Sequence, residues 1–177
     1  MQNLSQVAGA MADKRDGSLV LEMLKGLYDR LRCQMTTTAG LVITATSGKK
    51  VPKTGAAISY GIVKGQPFSI AAGVDMPALA GTVTNAMFNV FCFFANKADE
   101  SLTATDMESR MGIEAATMEA VKFPAFPEGK TLIGYIIINP TGTGNFVGNT
   151  TALDDATVAP GTIYISPVGG FDPSATY

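Results

Sequence analysis

The chain has 177 residues, 46% of them apolar and 16% charged, with a net charge of −2. That composition is enough to bury a core and excludes a disordered chain, and the charge balance gives no electrostatic argument for nucleic acid or membrane. Histidine is absent, which removes the usual general base, the commonest metal ligand and any Ser-His-Asp or Cys-His arrangement.

The opening stretch, MQNLSQVAGAMADKRDG, lacks the apolar run of a signal peptide, and no segment approaches the ~20 apolar residues of a membrane span. Synthesis in a cytoplasm without an export signal is the expectation. Leu4, Val7 and Met11 show a short helical spacing, broken by Gly17. Asp16 is placed to cap a helix start. Beyond it Val20, Leu24, Leu27 and Leu31 recur at intervals of four, three and four, and Met23 and Met35 broaden the stripe. Glu22, Lys25, Asp29, Arg30 and Arg32 fill much of the rest. This predicts an amphipathic helix of roughly five turns. Its apolar face packs either on its own domain or on sister subunits or a partner. The repeat is too short for an independent coiled coil. The basic groups Lys14-Arg15 and Lys49-Lys50-Lys53 are short and read as solvated loops.

After the threonine run at 36–38 the pattern changes. Leu41 to Thr46 reads as a strand and Ser47 to Lys50 as a turn. Ile58, Tyr60 and Ile62 alternate with Ser59 and Gly61, and Gln66 to Ala72 gives another short strand. MFNVFCFF, residues 87–94, is the most hydrophobic segment and ends in the polar turn NKADE. Glu108 to Met118 reads either as a helical turn or two, or as a hairpin strand displaying Met111, Ile113 and Ala115. Thr131 to Ile138 is a strong strand, and short closing strands follow at 146–147, 157–158 and 162–166. Many short strands with frequent turn signals predict a mainly β fold: an antiparallel β-sandwich or jelly-roll-like domain preceded by an N-terminal amphipathic α-helix. The organisation is an N-terminal helical arm at 1–38 and an antiparallel β domain at 39–177.

Two strands are apolar on both sides. Phe88, Val90, Cys92 and Phe94 share one face, and Met87, Asn89, Phe91 and Phe93 the other. Ile133, Tyr135 and Ile137 oppose Leu132, Ile136 and Ile138 in the same way. An antiparallel strand in a lone sandwich is usually apolar on one face only. A second cover is therefore expected, from the N-terminal helix or from a neighbouring subunit, and this points to an oligomer. The candidate interface with sister subunits or a partner is Val20, Met23, Leu24, Leu27, Leu31, Phe91 and Phe93.

Chemical motifs are sparse. Gly129-Lys130-Thr131 matches the end of a phosphate-binding loop. The position of that loop's first glycine is Pro124, which has no N–H to offer, and the stretch leads into a β-rich run instead of a helix. Pro124-Ala-Phe-Pro127 matches a P-x-x-P ligand, but Phe123 and Phe126 fall on one side of such a segment and read as core anchors. Asp154-Asp155 would face opposite ways on a strand and could share a cation on a loop. A distant two-carboxylate glycosidase pair has no supporting signal. Asn149-Thr-Thr fits a glycosylation acceptor, which means little without export. Cys33 and Cys92 lie far apart and form neither a disulfide framework nor a zinc site. No catalytic residue, metal ligand or cofactor is assigned.

The stretch from about Met87 to Ser166 resembles the head decoration, cement or head-fibre proteins of tailed-bacteriophage virions. The resemblance rests on the aromatic strand Phe88 to Phe94, the small-residue segment Glu114 to Val121, and Phe123-Pro-Ala-Phe-Pro-Glu-Gly129. Ile133-Gly-Tyr-Ile136, Asn145 to Leu153 and Ile163-Tyr-Ile165 complete it. It covers under half of the chain and leaves the N-terminal helix unmatched. It implies a non-enzymatic role on the outer surface of the phage head. The partners would be the chain itself, as a homo-oligomer with a trimer favoured, and the major capsid protein, with no nucleic acid and no membrane. The competing reading is a tail, neck or baseplate structural protein, or an adhesin binding a host surface glycan. Such sugar sites usually show exposed aromatics, and this chain has no Trp.

Overall fold

The computed structural model describes residues 14–43, 48–139 and 142–169. The segment carrying Leu4, Val7 and Met11 lies outside them, as do residues 44–46 of the expected first strand and Ser47 of the turn after it. Among the described residues, one α-helix, α1 (Lys14–Arg32), precedes eleven short strands. Every strand pairing is antiparallel. The fold is mainly β, as the turn-punctuated pattern implies. The helix of the described residues is not long and apolar enough to cross a membrane.

The α1 helix starts before Asp16 and runs through Gly17, so Asp16 lies within it and is not its N-cap. Its stop is well defined. The Arg32 carbonyl accepts the Gly65 N–H at 3.0 Å, and Gln34 Nε2 donates to the Leu31 carbonyl at 3.2 Å. The Arg32 guanidinium donates to the Lys64 carbonyl and lies 5.1 Å from the Tyr28 ring centre. Helix-end carbonyls that would otherwise go unpaired are satisfied here. The chain turns at once into β1 (Gln34–Met35), which pairs with β4 (Ser59–Val63). The helix therefore ends at Arg32, and residues 34–35 already belong to the β domain. Met35 is a core residue of that domain and not part of the helical stripe.

A three-stranded sheet runs β1–β4–β5, with β5 at Gln66–Ile70. Its hairpin turns on Lys64 and Gly65, both at positive φ (51° and 79°), the conformation that a two-residue turn between twisted strands requires. Two small pairs join β2 (Val42–Ile43) to β3 (Pro52–Lys53), and β6 (Thr82–Val83) to β10 (Phe146–Val147). The main sheet has the order β11–β9–β7–β8, from Ile163–Ile165, Thr131–Ile138, Asn89–Ala95 and Met107–Met111. The larger core lies between the two sheets and draws on Met35, Phe68 and Ile70 from one, and on Phe91, Phe93, Ile136 and Ile138 from the other. This is a sandwich-like arrangement.

The segment 108–118 takes the strand option. It enters β8, then continues through single bridges between Ile113 and Lys122 and between Phe88 and Ala115. The expected strand at 157–158 is a turn, where the Asp155 carboxylate accepts the amides of Thr157 and Val158 at 2.8 and 3.0 Å. In β9 the alternation is broken. Phe93 pairs with Gly134 but Phe94 with Leu132, so one extra residue bulges between them. Ile133 thereby joins Ile136 and Ile138 in the larger core, and Leu132 joins Tyr135 on the opposite face. The period-two reading had placed Ile133 and Leu132 the other way round.

Candidate interaction surface

The most apolar strand is closed on both sides by its own chain. One face of β7 carries Phe91 and Phe93 into the larger core; the other carries Val90, Cys92 and Phe94 into a second cluster with Leu132 and Tyr135. The roof of that second cluster is the connector expected to anchor there. Phe126 meets Phe94 edge-to-face at 5.1 Å, and Phe123 meets Tyr135 at 5.0 Å. Such pairs add to the area they bury. The second cover is thus neither the helix nor a neighbour. Phe91 and Phe93 are fully buried and present no surface, which removes them as interface residues.

The helix is the reverse case. Met23, Leu24, Leu27 and Leu31 are each more than half exposed, as are Leu19, Leu21 and Tyr28, and Val20 is partly exposed. The five helical candidates therefore share one solvent-facing side, held out from the β domain by the anchored turn at Arg32.

A further apolar stripe was not foreseen. Ile58 and Tyr60 are about half exposed, while Ser59, Gly61 and Val63 point inward. The β4 strand is turned with its larger side chains outward. The cause is its partner: Gly61 pairs with Phe68, and a Cβ at Gly61 would lie 2.4 Å from the Phe68 ring. The ring occupies the space that a side chain at 61 would fill. The Lys64-Gly65 turn sets the register that puts the glycine opposite the aromatic, and the packing of the ring over Gly61 then turns the strand.

The remaining motifs resolve into structural roles. Gly129 takes φ +68° in a turn, Lys130 pairs with Glu108, and the buried Thr131 donates to the Ile62 carbonyl at the start of β9. No helix follows, so the amide cradle of a phosphate loop is not formed. Asp154 pairs with Lys49 while Asp155 caps its own turn, so the two carboxylates do not share a site. Lys97 bridges Asp99 at 3.1 Å and Asp106 at 2.9 Å. Hydrogen bonds from Lys97 and from the Thr103 amide and hydroxyl hold the Asp106 carboxyl down at about 2. Burial pushes the Cys92 thiol far up, which leaves it unreactive. The Cys33 sulfur accepts the Lys64 N–H at 3.3 Å. Among the described residues, no group of three or more Cys, Asp or Glu side chains is placed to hold a metal ion. A shallow groove of about 400 Å³ is bounded by Phe88, Met118, Ile137, Asn139 and Ile163. No protein-family model, curated protein or solved structure matches the chain.

Proposed function

We propose that this chain is a non-enzymatic virion structural protein of a tailed bacteriophage: a decoration or cement protein that binds the outside of the head as a homo-oligomer, a trimer being favoured. The observation that carries the reading is α1, an apolar helix face displayed to solvent on a β domain whose own core is already closed. A chain built this way is equipped to join other chains. The resemblance over Met87 to Ser166 says which kind of assembly. Its aromatic strand and its Phe-Pro-Ala-Phe-Pro connector pack on each other through Phe94 and Phe126, so those motifs make one physical unit.

The mechanism is linkage. A protein that binds only the assembled shell stabilises it by RT ln(1 + [L]/Kd) per site, about 2.7 kcal/mol at a hundredfold excess over Kd. Attachment through several copies raises the avidity again. That stabilisation opposes the internal pressure of packaged DNA.

Electron microscopy of the parent particle with labelled chain tests the reading. Density on the outer head surface is expected. Absence from the particle overturns it. Density on the neck, tail or baseplate supports the second reading, an attachment protein or glycan-binding adhesin. That reading draws on the open groove beside Phe88 and Ile163 and on the exposed Tyr60. A glycan array with the purified chain separates the adhesin from a purely structural tail component.

A further inference from the structure

We infer that residues 170–177 run back along α1 and cover the C-terminal half of its apolar seam, Leu24, Leu27, Tyr28 and Leu31, holding that seam back from other chains. The contact itself does not depend on the reading above; only the kind of chain held back rests on it.

The first argument is where the chain leaves its described part, which ends at Gly169. Gly169 donates its N–H to the Met35 carbonyl at 2.8 Å, in an antiparallel bridge beside β1. The chain therefore departs opposite in direction to β1, towards Gln34, Cys33 and the end of α1 at Arg32. Phe171, two residues on, is within reach of the last helical turn, which carries Tyr28 and Leu31. At about 3.3 Å per residue the eight residues 170–177 reach about 26 Å, and the rise from Leu31 to Leu24 is only about 11 Å. Residues 1–13 join the helix at its other end, about 27 Å from Arg32, and are badly placed for this half.

The second argument is the pattern of the segment, GFDPSATY. Phe171, Pro173, Ala175 and Tyr177 alternate with Asp172, Ser174 and Thr176. An extended chain with that order carries all its apolar groups on one side. Pro173 favours extended backbone at the residue before it. Alternate residues of an extended chain step by about 6.6 Å, close to the helical pitch of about 5.4 Å, so successive apolar groups meet successive turns. Asp172, the only charge in the segment, is opposite in sign to Lys25 and Arg32 at the edge of the seam.

The third argument is that the seam is narrow and unmet. At about 100° per residue, Leu24, Leu27, Tyr28 and Leu31 fall within about 100° of the helix circumference. The position of Arg30 bounds that strip on one side, and Lys25 and Arg32 bound it on the other. One extended segment is wide enough to cover it. None of the described residues of α1 is buried, and the four seam residues are each more than half exposed. A helix of 19 residues with Gly17 and Gly26 inside it is marginal in water without such cover.

Hydrogen exchange on purified full-length chain without particles tests the contact, so it can fail while attachment to a head survives, and the converse. Amides of residues 24–32 are expected to exchange about tenfold faster or more in Phe171→Ser with Tyr177→Ser than in wild type. Equal rates overturn the inference. Deletion of residues 170–177 is expected to give the same loss of protection and to keep the cooperative thermal transition of the β domain. Loss confined to β1 would assign the segment to the sheet edge and overturn the inference. Wild-type protection should be equal at low and high micromolar concentration. Protection that rises with concentration would assign the cover to a second copy and overturn it. Uncovering the seam should lower the concentration of half-assembly in the deleted chain by about tenfold or more, read by sedimentation equilibrium. Unchanged or weaker association would show that the segment holds nothing back.

Discussion

The helix α1 and the strand β7 both carry strongly apolar faces, and they meet opposite fates. Both faces of β7 are covered from within: by the opposing sheet on one side, and by Phe123 and Phe126 on the other. The apolar side of α1 is covered by nothing among the described residues. Apolarity states that a surface needs burial; it does not state what buries it. In β7 the answer lies some thirty residues further along the chain, in a proline-bounded connector whose two rings reach back over the sheet. In α1 no described part of the chain supplies the answer.

Several substitutions break or sharpen that contrast. The largest effect is expected from Phe93→Ala, in the closed core. It removes a fully buried ring and leaves a cavity, costing about 3–5 kcal/mol in urea unfolding. A loss below about 1 kcal/mol would mean that β7 is not closed as described. Phe126→Ala takes the roof off the second cluster. With its edge-to-face contact to Phe94 gone, about 2 kcal/mol should be lost, and the residual transition should stay cooperative. If β7 were covered there by a neighbour instead, dilution would lower wild-type stability by as much.

Gly61→Ala probes the outward-turned strand. Its Cβ would meet the Phe68 ring, so about 1–3 kcal/mol of overpacking strain is expected, read as a lowered Tm. A neutral result would show that the ring has room to move aside. Leu27→Ser, on the exposed helix, should change the unfolding free energy of the β domain by less than about 0.5 kcal/mol while weakening assembly.

The smallest effect concerns pH. The ordinary carboxylate value is 3.8, and Asp106 is held near 2 by Lys97 and Thr103. A group depressed in the folded state contributes stability above its unfolded value and loses it as the pH falls through the folded one. Wild type should therefore lose a small part of its Tm between about pH 4 and 2 that Asp106→Asn does not lose. Because the Lys97–Asp106 pair lies at the surface, with the Lys97 side chain about half exposed, a salt titration should shrink the difference.

Much of this was legible beforehand. The amphipathic helix, the two-faced strand, the anchoring role of Phe123 and Phe126, and the turn at Gly129 all follow from local spacing and backbone rules. Two features were not. The transposition of Leu132 and Ile133 needs the bulge opposite Phe93 and Phe94, which depends on how two strands distant in sequence come into register. The outward stripe on β4 depends on where the Phe68 ring goes, and only the hairpin partner decides that. The expectation that Phe91 and Phe93 face a neighbour failed for the same reason, since the cover came from non-local packing within the chain.

Local sequence by itself determined the N-terminal helix, the two strongest strands and their apolar character, and the absence of histidine, the usual acid–base group. Side-chain period and backbone freedom are properties of neighbouring residues, so no folding is needed to read them. Only the tertiary structure decided which apolar face is covered within the described chain and which is left exposed. That is a question of which surfaces meet, and contacts between residues far apart in the chain do not show in any local pattern.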